Sequence, residues 1–301
     1  MTADGVSGSR GAMTASTVDG RAAGYRPART LSMATELRRQ LTRRRTQLVF
    51  AFLVALPVIL FLAFRFGTDG ETGSQQNETD AFVTVAKSGA ANFTVFTLFV
   101  SASFLLVVIV ALFCGDTVAS EASAGSLRYL LAAPVPRRRL LGVKYAVGLA
   151  SSAAALVVLT GVTLAVGTAA FGWHPLVTMT GDTIPPGPAL ARIAGVVGYL
   201  AVTLLVPAAL AFLLSVCTDN ALGAVGGAVL LVIVSSILDQ VTALGGLRAV
   251  LPTHHQDAFT GLLTDPVRWD EMARGALSAL LYAGGFTALA WWRFLRKDIT
   301  S

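Results

Sequence analysis

Six stretches of the chain carry no Asp, Glu, Lys, Arg or His: residues 47–64, 93–113, 145–171, 193–216, 221–238 and 275–292. Each has about the ~20 apolar residues that a helix rising ~1.5 Å per residue needs to cross ~30 Å of hydrocarbon. They predict six transmembrane helices. Polar segments between them predict two further elements. Within 31–46, Ala34, Leu37 and Leu41 form an apolar stripe, and Arg38, Arg39, Arg43, Arg44 and Arg45 surround it with charge. That pattern predicts an amphipathic helix lying in the membrane interface and leading into the first span. Between the second and third stretches, Gly115 to Lys144 reads as a short, partly amphipathic helix, a Pro134-Val135-Pro136 break and three consecutive arginines, Arg137, Arg138 and Arg139. Glu121, Gly125 and Arg128 fall on one line of that helix (i, i+4, i+7), a face suited to a soluble partner. Residues 1–30, poor in large apolar side chains, are expected to be disordered, because they bury too little surface to offset ordering entropy.

Composition agrees with lipid as the solvent. Of 301 residues, 54% are hydrophobic and 13% charged, with a mean hydropathy of +0.68. The fold class expected is therefore an all-α membrane protein in which residues 31–301 form one transmembrane domain. Charge sets the orientation. Seventeen of the 23 Lys and Arg residues lie in 1–46, in 115–144 and after Trp292, so the positive-inside rule places both termini and the 115–144 loop in the cytosol. The net charge of +6 follows from that bias, and nucleic-acid binding is not indicated, since the arginines gather at span ends without aromatic platforms. Arg43, Arg44, Arg45, Arg137, Arg138 and Arg139 are read as contacts for anionic lipid headgroups, worth ~1 kcal/mol each near the surface.

The chain carries no G-x-x-x-x-G-K-[ST], HExxH, CxxC or GxSxG sequence, so no nucleotide, metal or nucleophile motif supplies an engine. No cofactor is expected on the chain itself. Cys114 and Cys217 are expected as free thiols filling small apolar spaces. His254-His255 lacks a third ligand at metal spacing. Pro57 and Pro207 are expected to kink their helices, and Gly223 with Gly227 forms a small-xxx-small pair that lets another helix approach.

With these residues on the page, the array resembles the membrane permeases of the type-2 ATP-binding-cassette (ABC) transporter family, from Leu31 to Ser301. The similarity rests on Gly115-Asp116-x-x-Ala119-x-Glu121-x-x-x-Gly125-Ser126-Leu127-Arg128 with the Leu130-Leu131-x-x-Pro134-Val135 that follows, a coupling-loop signature. Two further segments support it: Leu251-Pro252-Thr253-His254-His255 before the last span, and the Trp292-Arg293-Phe294-Leu295-Arg296-Lys297 ending. Ser126 stands where threonine is the more usual residue. The resemblance implies a half-transporter: two six-span subunits, identical or related, with two copies of a cytosolic ATPase that holds ATP and Mg²⁺. It also implies a cytosolic coupling helix between spans two and three, with Asp116, Glu121, Gly125, Arg128 and Pro134 at the ATPase contact. Export across the cytoplasmic membrane of a prokaryotic cell is the direction it implies. Two other readings stay open on the residues alone, a secondary transporter working without an ATPase and a membrane assembly subunit acting by contact.

Overall fold

A computed structural model describes residues 32–66, 83–123, 136–178 and 181–296. The tail 1–30 and three of the candidate coupling residues, Gly125, Arg128 and Pro134, lie outside them, as does the side chain of Arg137.

The described chain is almost wholly helical. It runs α1 (Met33–Leu41), α2 (Arg44–Phe66), α3 (Ala90–Ala102), α4 (Leu105–Ser123), α5 (Arg137–Phe171), α6 (Pro186–Thr203), α7 (Leu205–Cys217), α8 (Ala221–Gln240) and α9 (Asp270–Arg296). A two-stranded antiparallel hairpin, β1 (Leu176–Val177) with β2 (Thr183–Ile184), follows α5, and two 3-10 segments, Thr242–Val250 and Ala258–Leu263, precede α9. Local chemistry sets the ends. Gly172, at φ 72°, stops α5 where a side chain would be strained. Pro185 and Pro186 open α6 with φ already suited to a helix. The Asn220 side chain accepts from the Leu222 and Gly223 amides to cap α8.

Four helical runs are long and apolar enough to cross a membrane: Arg44–Phe66, Arg138–Phe171, Pro186–Cys217 and Ala221–Gln240. A fifth is counted if α3 and α4, bent by 57° at Ser103–Phe104, act as one broken span. The expectation of six is thus met only to this extent. Helix α9 is 27 residues long, but three glycines, two tryptophans and a tyrosine dilute its hydropathy, and it is not among the four. The second expected span also differs in form. The sequence reads 93–113 as one helix, yet it breaks at Ser103–Phe104, and the Ala102 carbonyl accepts from Gln256 Nε2 at 3.2 Å. A distant side chain that takes up a carbonyl at a helix break is one of the ordinary causes of a sharp kink.

Helix α7 forms the centre. Ala208, Ala209, Ala211 and Phe212 are fully buried, and α4, α8 and α9 pack around it. Its separation from α6 at Leu204 falls one turn before Pro207, which cannot donate to the carbonyl four residues back. Helix α2 continues through Pro57 and lies against α5 with Leu48, Phe52, Val54 and Ile59 exposed, an apolar face that suits lipid. Close approaches between spans occur at glycines other than the pair expected. A Cβ on Gly115 would meet Val225 at 3.0 Å, and one on Gly148 would meet Cys114 Sγ at 3.0 Å and the Phe113 carbonyl oxygen at 3.2 Å. Gly223 would touch only Asn220 of its own cap, while Gly227 meets Leu214 at 3.2 Å.

Candidate functional site

The amphipathic stripe of 31–46 becomes α1, a two-turn helix with Glu36 in its first turn, and a short break at Thr42–Arg43 turns the chain into α2. This places Arg39, Arg43 and Arg45 beside the end of α4, where the apolar run has given way to Gly115-Asp116-Thr117 and Glu121. Arg43 Nη1 donates to Asp116 Oδ2 at 2.7 Å and Arg45 Nη1 to Asp116 Oδ1 at 2.5 Å. Arg39 Nη1 reaches Glu121 Oε1 at 3.3 Å and also lies 3.7 Å from Glu36. Lys144 Nζ, two turns into α5, meets the same Glu121 oxygen at 2.6 Å. Four residues on from Arg39 is Arg43, and five residues back from Glu121 is Asp116, so the stretch from Arg39 of α1 through the break to Arg45 of α2 runs antiparallel to α4, joined to it by two charged rungs. Lys144 ties α5 to the second.

Burial decides what these contacts mean. Glu121 and Lys144 are 3% and 5% exposed, and Asp116 is 5% exposed. The expectation that Glu121 stands on an open helix face is therefore corrected: its carboxylate is turned into the bundle. A lone charge there would carry a large desolvation cost, and the opposite charge with good geometry offsets it. Arg43 and Arg45, expected to face headgroups, turn their guanidinium groups to Asp116, whereas Arg44 and Arg138 are exposed and Arg139 is half-buried. A polar cavity of about 20 Å³ between α1, α4 and α5, edged by Arg39, Arg43, Asp116 and Lys144, is large enough for one water. One turn above, the Ser215 hydroxyl of α7 accepts from the Val118 and Ala119 amides at 3.1 and 2.9 Å, fixing α4 to the central helix as well.

The family model of the ABC-2 family transporter protein matches residues 32–299. The chain belongs to the ABC-2 transporter family. It is thus a multi-pass permease of an ABC transporter, and the stretch read as its coupling signature begins inside the charge cluster, at Gly115 and Asp116. Compared with the curated proteins, the chain has no match. In this ABC-2 permease the signature's first half is packed inside the bundle: Gly115 admits α7 and α8, Asp116 meets Arg43 and Arg45 where α1 turns into α2, and Glu121 meets Arg39 of α1 and Lys144. Sequence reasoning missed Lys144 as a partner of Glu121 and missed Ser215. The available signal for Lys144 was an ion-pairing cation placed a turn or two inside a span end. Ser215 gave none, since it reads as an ordinary small residue in an apolar run.

A second polar group lies at the opposite end of the bundle. His254 Nδ1 is 2.6 Å from Asp239 Oδ1, Arg248 Nε is 3.8 Å from it, and the Tyr199 hydroxyl donates to the His255 carbonyl at 2.6 Å. Burial, with His254 alongside, pushes the His255 pKa down, and burial next to Asp239 pushes that of Asp257 up. Among the described residues, no group of three or more His, Cys, Asp or Glu is arranged to hold a metal.

Proposed function

We propose that the chain is the membrane half of an ABC exporter in the cytoplasmic membrane of a prokaryote, driven by ATP hydrolysis in two copies of a separate cytosolic ATPase. Six spans with both termini in the cytosol, and a second permease subunit, complete the assembly. ATP and Mg²⁺ belong to the ATPase. What supports the six-span count is the charge-free run 275–292 within α9 and its packing along the central α7. The positive-inside bias supports the orientation.

The observation that carries the mechanism is the cluster of Asp116, Glu121 and Lys144 with Arg39, Arg43 and Arg45. The chain leaves α4 at Ser123 and returns at Arg137, and on both sides of that gap the helices are tied together by buried charge. A displacement of residues 124–135 by an ATPase is thereby delivered to α1, the start of α2, α4 and α5 as one body rather than to a single span. In this reading Gly125, Arg128 and Pro134 form the ATPase contact, and Asp116 and Glu121 transmit its motion. Arg44, Arg137, Arg138 and Arg139 meet anionic headgroups.

The test addresses the contact. Arg128→Glu is expected to lower co-purification of the ATPase while the melting temperature of the permease stays unchanged. Normal ATPase recovery and normal transport by Arg128→Glu, or the absence of any ATPase from the native membrane complex, defeats the proposal.

A further inference from the structure

At the end of the bundle away from the charge cluster lies a cavity of about 320 Å³. Four separate parts of the chain build it: Val85 and Ala86 ahead of α3, the first turns of α3, strand β1 of the hairpin, and the segment from Thr260 to Arg268. Its size is at the lower end of small-molecule sites, which run from ~300 to ~1,000 Å³. Its wall is mostly hydrocarbon, contributed by Val95, Phe96, Phe99 and Leu263 among others. Polar groups on the wall are already engaged. Asn92 donates to the Val177 carbonyl at 2.7 Å and accepts from the Val177 amide at 3.0 Å, and the Thr260 and Thr264 hydroxyls donate to backbone carbonyls. The charged residue on the lining is Arg268, which is exposed. The cavity therefore offers a long apolar slot with a cation at its solvent side, and little else to bind.

Its depth in the membrane follows from the helix it lines. Asn92 to Phe99 spans about 10 Å at ~1.5 Å per residue, within one leaflet of a bilayer whose hydrocarbon is ~30 Å thick. Trp173 and Trp269, 40% and 62% exposed, sit at this same end, and tryptophan concentrates where hydrocarbon meets headgroups. Trp269 directly follows Arg268, so the cation stands at headgroup level and the slot runs inward from it.

We infer that this cavity binds an anionic amphiphile with a single hydrocarbon chain, the chain in the apolar slot and the acidic head at Arg268. The inference rests on the permease reading only in naming the outer leaflet as the one it serves. The ligand could be drawn from that leaflet or delivered through the transporter as cargo, and the chemistry of the site is the same for both.

The probe is decanoic acid carrying a mid-chain diazirine, a chain of about the slot's length, compared with the matching alcohol, on the purified full chain in phosphatidylcholine nanodiscs without ATPase. Photolabelling should saturate and map to 85–99 and 260–268. The acid should half-saturate at about five-fold lower concentration than the alcohol, the effect of one exposed charge pair. Arg268→Gln should abolish that preference and leave the alcohol unchanged, and as a surface substitution it should not disturb folding. Val95→Trp should reduce labelling by both probes at least about tenfold by occupying the slot. In proteoliposomes, labelling by acid added outside without ATP identifies the leaflet as source, and labelling that needs enclosed acid, ATPase and ATP identifies cargo. Non-saturating label spread over all exposed helices, or equal binding of acid and alcohol to wild type, overturns the inference. Neither result touches the permease reading, which fails instead if no ATPase associates with a chain that still labels.

Discussion

Glu121 shows how much the surroundings of one carboxylate change its expected role. On an open helix its replacement would alter stability by no more than about 0.5 kcal/mol. Buried against Lys144 at 2.6 Å, it leaves an uncompensated ammonium when removed, and breaking such a pair from one side costs about 3–5 kcal/mol. Glu121→Ala should therefore lower the melting temperature in detergent and reduce the amount of permease in the membrane. Adding Lys144→Met to it should restore a large part of the loss, since no buried charge then lacks a partner and Arg39 is free to turn to water. Additive losses in the double variant would show that the pair is not coupled. Asp116→Asn should be milder, because its partners Arg43 and Arg45 are both partly solvated. The sequence singled out Asp116 and Glu121 through their place in a resembling signature. It could not reveal which way they face, because a helix projected from spacing alone has no partner, and the partners lie more than seventy residues earlier in the chain and some twenty later.

At the scale of elements, legibility tracked locality. The runs at 145–171 and 221–238 fall inside helices Arg137–Phe171 and Ala221–Gln240 because uninterrupted apolar sequence fixes a span by itself. The break before Pro207 was likewise local, the missing amide being written in the residue. The 57° bend between α3 and α4 was not, for no proline or glycine lies near Ser103 and the side chain at its open carbonyl is Gln256. If Gln256 holds that break, Gln256→Leu should cost about 1–3 kcal/mol, the penalty of leaving a buried carbonyl unmet. Gln256→Glu with its carboxyl protonated can still donate and should lose less. Equal melting temperatures for wild type and Gln256→Leu would mean that the bend is held by packing alone. The apolar cavity beside α3 was also invisible in the sequence, since it is assembled from four separate segments and each reads alone as ordinary packing.

For the whole molecule, orientation is the property that ties the cluster to one side of the membrane and the cavity to the other. Cys217 is exposed at the end of α7, close to the sequence of Asp219 and Asn220, and serves as a built-in reporter. An impermeant thiol reagent should leave it unmodified in intact cells and modify it once the membrane is opened. Thr183→Cys on the hairpin, in a chain lacking the native cysteines, should react in intact cells. The reverse pattern would invert the proposed topology. The antiparallel charged rungs add a consequence in time. Arg39, Arg43 and Arg45 are synthesised about seventy residues before Asp116 and a hundred before Lys144. In the proposed orientation, while the first span enters the bilayer these guanidinium groups face no acidic partner from α4, and their full charge is available to hold the amino-terminal side back. Once α4 arrives, the same cations become fasteners, so in that orientation the signal that directs the newborn chain is consumed in closing the finished one.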